Sequence, residues 1–452
     1  MSNLKISVTE RDRNFCEEEC HRCSDNHREV VLVNDSDDQK PLDKTKFGEL
    51  INKLGKDLKV VELGGLKLDN DVIGLIANSG AAIECIRIYD CTGVTDEILK
   101  LLGQRFSKSL IHVELIGFSN GFYTNEGIKA LILSIGNLEA IHIDSAIAVM
   151  ASMPGTITNM KHVWSKVSGN EKELLTQFTI KYAQYLRNLD ITLSATRSET
   201  PDFVAILGNL TNLFKMSVTA TGDTPIDNQL GLIGEKFGPN FKELNICVWS
   251  GGDHLLEAVG KFTNLETLTI NGRSPMRHID FRLNTNLEKL SACKKLRHLR
   301  LILKNHNPNL YENIDTYLPQ LEILELVGLD IGDGALKCLA KLKNISFLDI
   351  ASPLLSDGGV INIIDNSAKL TWLRPNGSDV INPDHTSVGP KTLDAFTAAA
   401  RKRQDIQFEI TFNSNAKIDL DARKGSLPNN LSVKIIDTPF LLSFPGSTPR
   451  GF

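Results

Sequence analysis

The chain has 452 residues, a formal net charge of -5 and a sequence pI near 6.1. A single core stops growing at about 250–300 residues, so this length means two domains or a solenoid that lengthens by stacking. Mild acidity without a long Lys/Arg run argues against nucleic acid as the main partner, and without a run of about 18 apolar residues nothing in the sequence reads as a membrane span.

Residues 1–56 show no repeat. The opening MSNLKISVTERDRNFCEEEC lacks the apolar segment of a secretory signal. The chain's eight cysteines are irregularly spaced and read as reduced thiols, with the cytosol or nucleus as the compartment. Cys16, Cys20 and Cys23 would share one helix face, with His21 and His27 nearby. Thiolates and imidazoles ligate zinc, but C-x3-C-x2-C is not a paired-knuckle spacing, and a buried face of small apolar side chains gives the same pattern. VVLV at 30–33 reads as a short strand or buried patch, 34–46 as an exposed linker, and Phe47 to Leu54 has helical spacing.

From Leu58 a strand signature L-x-x-L-x-L recurs. Its first positions are Leu58, Ile83, Leu110, Leu138, Met160, Leu186, Leu213, Phe241, Leu265, Leu296, Leu321, Ile345 and Leu370. The intervals average about 26 residues, inside the window of leucine-rich repeats. Fourth and sixth positions are nearly always apolar, as in Ile86/Ile88, Leu268/Ile270 and Leu324/Leu326. Met160 is a weak member because its pair is Val163/Ser165, and Leu370 is another because Pro375 removes a ladder donor. A strand, a turn and a short helix cannot bury their own apolar sides and must stack on copies of themselves. The expected fold is an α/β leucine-rich-repeat solenoid of about 13 repeats, with a parallel sheet on the concave side and helices on the convex side. Residues 1–56 would form an N-terminal cap, 57–374 the repeats, 375–440 a C-terminal repeat and cap, and 441–452 a disordered tail.

Short helical patterns separate the strands. VTDEILKLL, YTNEGIKALI, IGDGALKCLA and LSDGGVINII each place Asp or Asn at the start, where it can accept from free backbone N–H groups of its own helix. The interval before Leu296 is long, with NGRSPMRHID inserted. After Leu370 come a polar loop, a helix from Pro390 to Arg403 and a candidate last strand, QFEITF.

Third, fifth and seventh strand residues should line the concave face, because side chains alternate along a strand. Two groups on that face carry aromatic, Arg and His residues, the usual anchors of protein interfaces. One is Arg87, Tyr89, His112, Glu114, His142 and Trp164; the other is His298, Arg300, Phe347, Trp372 and Arg374. For any single residue the plain alternative is a solvated strand face. His112, Glu114 and His142 sit on adjacent strands and could make a metal or acid–base set. Yet the chain has no nucleophile signature, phosphate loop or H-E-x-x-H helix, so the reading is non-enzymatic, with no cofactor and no metal. Arg401 to Arg403 complement a helix C-terminus.

Ile83-x-x-Ile86-x-Ile88-x-x-Cys91 followed by GVTDEILKLL resembles the cysteine-containing leucine-rich repeats of F-box proteins. The resemblance spans residues 58–412. It implies that Cys91 bonds backbone at the coil corner, and that the repeats hold the substrate of a ubiquitin ligase of the SCF type, with an adaptor and a cullin scaffold as further partners. No LP-x-E-x-L-x-x-I-F segment stands near the start, so the expectation is such a receptor or a shortened relative. The alternatives are a scaffold or inhibitor of the ribonuclease-inhibitor-like kind, and a small-molecule receptor in which Tyr89, His112 and Trp164 close a pocket.

Overall fold

The computed structural model describes residues 4–10, 28–34, 43–117, 123–168, 171–194, 206–221, 226–248, 254–272, 283, 287–304, 307, 309–376, 388–413, 416, 418–423 and 425–436. Cys16, Cys20 and Cys23, most of the insert before Leu296, and the tail lie outside them. The chain divides into two compact units: Met1–Leu193 with Asn209–Leu213, and Ser194–Gly208 with Phe214–Phe452.

Each unit is built of strand–turn–helix coils in the manner of a leucine-rich-repeat solenoid. The first holds β1 (Leu4–Glu10), β2 (Arg28–Asn34), β3 (Leu58–Gly64), β4 (Cys85–Tyr89), β5 (His112–Ile116), β6 (Ala140–Ile143), β7 (His162–Ser168) and β8 (Asn188–Ser194). β2 through β7 pair in chain order and in parallel. β1 runs antiparallel to β2, Leu4 opposite Asn34. The second unit holds β9 (Lys215–Thr221), β10 (Glu243–Val248), β11 (Thr267–Asn271), β12 (His298–Ile302), β13 (Ile323–Val327), β14 (Phe347–Ala351), β15 (Trp372–Asn376), β16 (Phe408–Asn413) and β17 (Leu431–Ile436). Each of these is parallel to the next.

The thirteen expected strands are β3 to β15. The register explains why their apolar positions recur. Leu268, Leu299, Leu324, Leu348 and Leu373 pair directly across five strands, as do Ile270, Leu301, Leu326 and Ile350. None of these is more than 1% exposed. Burying one such side chain is worth about 1.5–3 kcal/mol, and the gain exists only because the next coil supplies the other wall.

The weak repeats solve their defects locally. Ser165, in a core position of β7, is fully buried; its Oγ accepts from Ile147 N (3.2 Å) and donates to Asp144 O (2.9 Å). β15 pairs with β16 only at Trp372 and Leu373, short of Pro375. In the coil of β17, Asn430 takes the place of the first leucine; it is buried, with Nδ2 within hydrogen-bond reach of the Ala400, Arg403 and Ile406 carbonyls. Cys91, just after β4, closes the coil corner: its Sγ accepts from Leu66 N (3.4 Å) and donates to Leu63 O (3.5 Å). Burial pushes that thiol up to about 12.

The helix starts work differently from the sequence reading. Thr95, Thr124 and Ser356 are the caps, each accepting from a backbone N–H of its own helix. The acid that follows reaches the next coil instead. Asp96 accepts from Thr124 N and Thr124 Oγ1, both at 2.7 Å, and Asp333 accepts from Ser356 Oγ at 2.7–2.8 Å. Asp357 accepts from Gly389 N (2.9 Å) and Thr392 N (3.1 Å). Gly127 and Gly359 lie so close beneath Asp96 and Asp333 that a Cβ would collide with the carboxylate. Asp96→Ala should therefore cost about 1–2 kcal/mol, the scale of a lost cap or charged hydrogen bond. Hydrogen exchange should quicken in helix Asn125–Ser134 of the next coil; a change confined to the helix carrying Asp96 would contradict the inter-coil role.

Candidate functional site

The alternation of β4 and β5 is visible in burial: Ile86, Ile88, Val113 and Leu115 are buried, while Arg87, Tyr89, Glu114 and Ile116 are half-buried. Fifth and seventh positions thus line the sheet face away from the leucine core, and the third positions, Cys85 and His112, share that face by alternation but are buried. In the first unit the fifth positions form one line: Glu62, Arg87, Glu114, His142 and Trp164, each directly opposite the next. Arg87 lies between two carboxylates, with Nη1 3.7 Å from Glu62 and Nε 3.5 Å from Glu114. His112 Nε2 is 3.0 Å from Glu114 Oε1. Tyr89 donates its hydroxyl to Glu62 Oε1 (3.2 Å), and its ring fills the space a Cβ on Gly64 would need. The His142 and Trp164 rings meet at 3.8 Å, tilted by 42°.

The six residues of the first group are thus brought together, but His112 and His142 are 3% and 8% exposed. Burial opposes charge on His112, yet Cys85 and the Glu114 carboxylate outweigh it and hold the imidazole well above its ordinary range. Burial would raise Glu114; His112 and Arg87 outweigh it and hold the carboxyl well below the carboxylate range. His142 goes the other way. Burial lowers it to about 4, with Glu114 opposing and His112 and Lys166 assisting. Its Nε2 has no hydrogen-bond partner among the described residues.

That difference has a sign. An unfolded histidine takes up a proton near pH 6.5, whereas folded His142 stays neutral to about 4. Between these values the unfolded chain binds more protons, so this group's contribution to stability falls as pH drops through the window. His142→Phe keeps the contact with Trp164 and should flatten the dependence of stability on pH between about 6.5 and 4, removing a loss of a few kcal/mol at most. Unfolding midpoints of the two proteins across that range test it; parallel curves would contradict the assignment.

In the second unit the fifth positions run Thr269, Arg300, Glu325, Asp349 and Arg374, and the third positions His298, Ile323, Phe347, Trp372 and Glu409. His298 Nε2 is 2.7 Å from Glu325 Oε1, and Arg300 Nε is 3.4 Å from Glu325 Oε2. Burial would raise Glu325; His298 and Arg300 lower it. Arg374 pairs with Asp349, which burial nevertheless lifts above the ordinary aspartate value. Phe347 and Trp372 stack at 3.8 Å and 5°, the Arg374 guanidinium lies 5.4 Å from the Trp372 ring, and the indole N–H donates to Glu409 (3.2 Å).

All five predicted residues of this group therefore lie on one face. The sequence reading did not single out the acidic partners, Glu62 in the first group and Glu325, Asp349 and Glu409 in the second; a carboxylate at a third or fifth position of a neighbouring repeat was the available signal. Among the described residues no group of three or more His, Cys, Asp or Glu is placed to hold a metal, so His112, Glu114 and His142 do not converge in that way. Among them, too, no helix is long and apolar enough to cross a membrane.

No protein-family model and no curated protein matches the chain. The crystal structure of a Rad7 and Elc1 complex in yeast is similar to it, with TM-score 0.44 and 14% identity over 90% of this chain and 92% of that one. A crystal structure of a Bacteroides fragilis protein is similar with TM-score 0.36 and 14% identity, over 69% and 77% of the two chains. Likenesses of this size carry no functional argument.

Proposed function

We propose that this chain is a non-enzymatic recognition protein whose repeats bind a protein partner through the sheet face. The observation that carries the reading is the position of Trp164 and Trp372. They are two of the chain's three tryptophans, and both sit half-buried on the sheet face rather than in the leucine core. Large aromatic surface left partly in water is costly unless something covers it, and tryptophan is the residue most enriched at interface hot spots.

Within that reading, a substrate receptor of an SCF-type ubiquitin ligase, or a shortened relative, comes first. The support is the Cys91 corner, where the thiol bonds backbone as the resemblance implies. Affinity capture of the full chain from cells tests both levels. Recovery of a cullin scaffold and its adaptor is expected under the ligase reading. A partner lost on Trp164→Ala or Trp372→Ala, but recovered without cullin or adaptor, leaves the scaffold or inhibitor reading. A partner insensitive to both substitutions removes the sheet face.

A further inference from the structure

We infer that the sheet face of the second unit takes an uncharged protein segment anchored by an aromatic or aliphatic side chain, and not an acidic or basic one. The inference rests on the recognition role proposed above and gives it a chemistry. Among the described residues, four cations lie at third and fifth positions there: Lys215, Arg300, Arg374 and Lys434. Each has a carboxylate of the same face beside it. Lys215 is 3.0 Å from Glu243, Arg300 3.4 Å from Glu325, and Lys434 2.9 Å from Glu409; Arg374 pairs with Asp349. Four positive and four negative charges cancel within the face.

The Arg374 pair is also not available for recruitment. Asp349 is 5% exposed. For Arg374 to turn to an acidic partner it would have to leave a buried carboxylate unpaired, and an uncompensated buried charge costs more than a new surface pair returns. Glu409 is held twice, by Lys434 and by the indole N–H of Trp372. This tie fixes the Trp372 ring in its stack on Phe347 and so preorganises an apolar platform. Ile302, Val327 and Ala351, at the seventh positions of the same strands, are buried at 0–9% exposure and offer no binding surface. With the ionic row paired within the face, the half-buried stack of Phe347 and Trp372 is the apolar surface left to bind with. The first unit is unlike this. By strand alternation its face carries Glu62, Glu114, Asp144 and Asp190 against Arg87, Lys166 and His112, whose imidazole is held above its ordinary range, an excess of one acid that would favour a basic partner.

A displayed random peptide library panned on the full chain tests this. The expected ligands carry an aromatic or aliphatic anchor and little net charge. They should bind about tenfold or more weakly to Trp372→Ala, the scale of one hot-spot residue, and unchanged to Trp164→Ala. Their affinity should change less than about twofold between roughly 50 and 500 mM salt, where charge-steered binding would be screened away. Trp372→Phe keeps the stack on Phe347 and should retain most of the binding, which separates loss of the platform from loss of the fold. Ligands that need Trp372 but are charged and salt-sensitive overturn this inference alone. Ligands lost on Trp164→Ala instead also overturn it, since they place recognition on the acidic face. A library yielding no ligand sensitive to either tryptophan contradicts the sheet-face reading as a whole.

Discussion

Leu324→Ala should lower the stability of the second unit by about 2–5 kcal/mol, the range for a fully buried leucine truncated in a tight core. Leu324 is wholly buried in β13, directly opposite Leu299 and Leu348. A single globule would feel the cavity everywhere. In stacked repeats each coil touches only its neighbours, so the damage should be local. Hydrogen exchange should accelerate first in β12, β13 and β14, with β3 to β6 nearly unaffected. Leu354→Ala, at a side chain 56% exposed, should cost less than about 0.5 kcal/mol. Equal effects of the two substitutions, or uniform acceleration through both units, would contradict the stacking account.

Arg374→Met should cost about 3–5 kcal/mol, because it strips the partner from a buried carboxylate. Asp349 already titrates above its ordinary value through burial, with Arg374 the main group opposing that rise. Without Arg374 the rise grows. A carboxyl raised in the folded state destabilises it fully above the folded pKa and not at all below the unfolded one, near 3.9. The gap between Arg374→Met and the parent chain should therefore be widest at neutral pH and close as the pH is lowered toward 4. Adding Asp349→Asn should recover much of the loss at pH 7, since an uncharged pair is far cheaper to bury than an orphaned charge. A gap that stayed constant between pH 7 and 4 would mean that Arg374 acts through its contact with Trp372 and not through Asp349.

The strands were legible because burial is written in one dimension. A leucine at the fourth position must face its counterpart one repeat on, so β3 to β15 follow from counting. The face of each site residue followed from the same alternation. What lies on either side of that pattern was harder. β1 alternates Leu4, Ile6 and Val8 with Lys5, Ser7 and Thr9, but its antiparallel pairing with β2 breaks the repeat rule. β17 was hidden because Asn430 stands where a large apolar residue marks each of the strands β3 to β15, satisfied by carbonyls that exist only once the chain has turned.

The ionic pairs were harder still. Glu325 and Arg300 are 25 residues apart, and nothing in either neighbourhood shows which meets which until the register is fixed. The same holds for Asp96 and Thr124. Asn264 and Asn344 donate to Pro239 O and Pro319 O of the preceding coil, both at 2.8 Å. Neither side chain shows its partner in the sequence, because the bond crosses coils. The arginines and histidines chosen as anchors lie on the expected face, but Arg87, Arg300 and Arg374 are engaged by carboxylates of the sheet itself.

The most direct test of the account compares three forms of the full chain against the partner recovered by capture: the parent, Trp164→Ala with Trp372→Ala, and Ile180→Ser. Ile180 is 61% exposed on helix Lys172–Lys181, away from the sheet face. Titration with the purified partner should give equal affinity for the parent and Ile180→Ser, and a loss of about tenfold or more for the double tryptophan variant. An unchanged affinity for the folded tryptophan variant, with loss on Ile180→Ser, would place recognition on the helices and contradict the sheet face as the working surface.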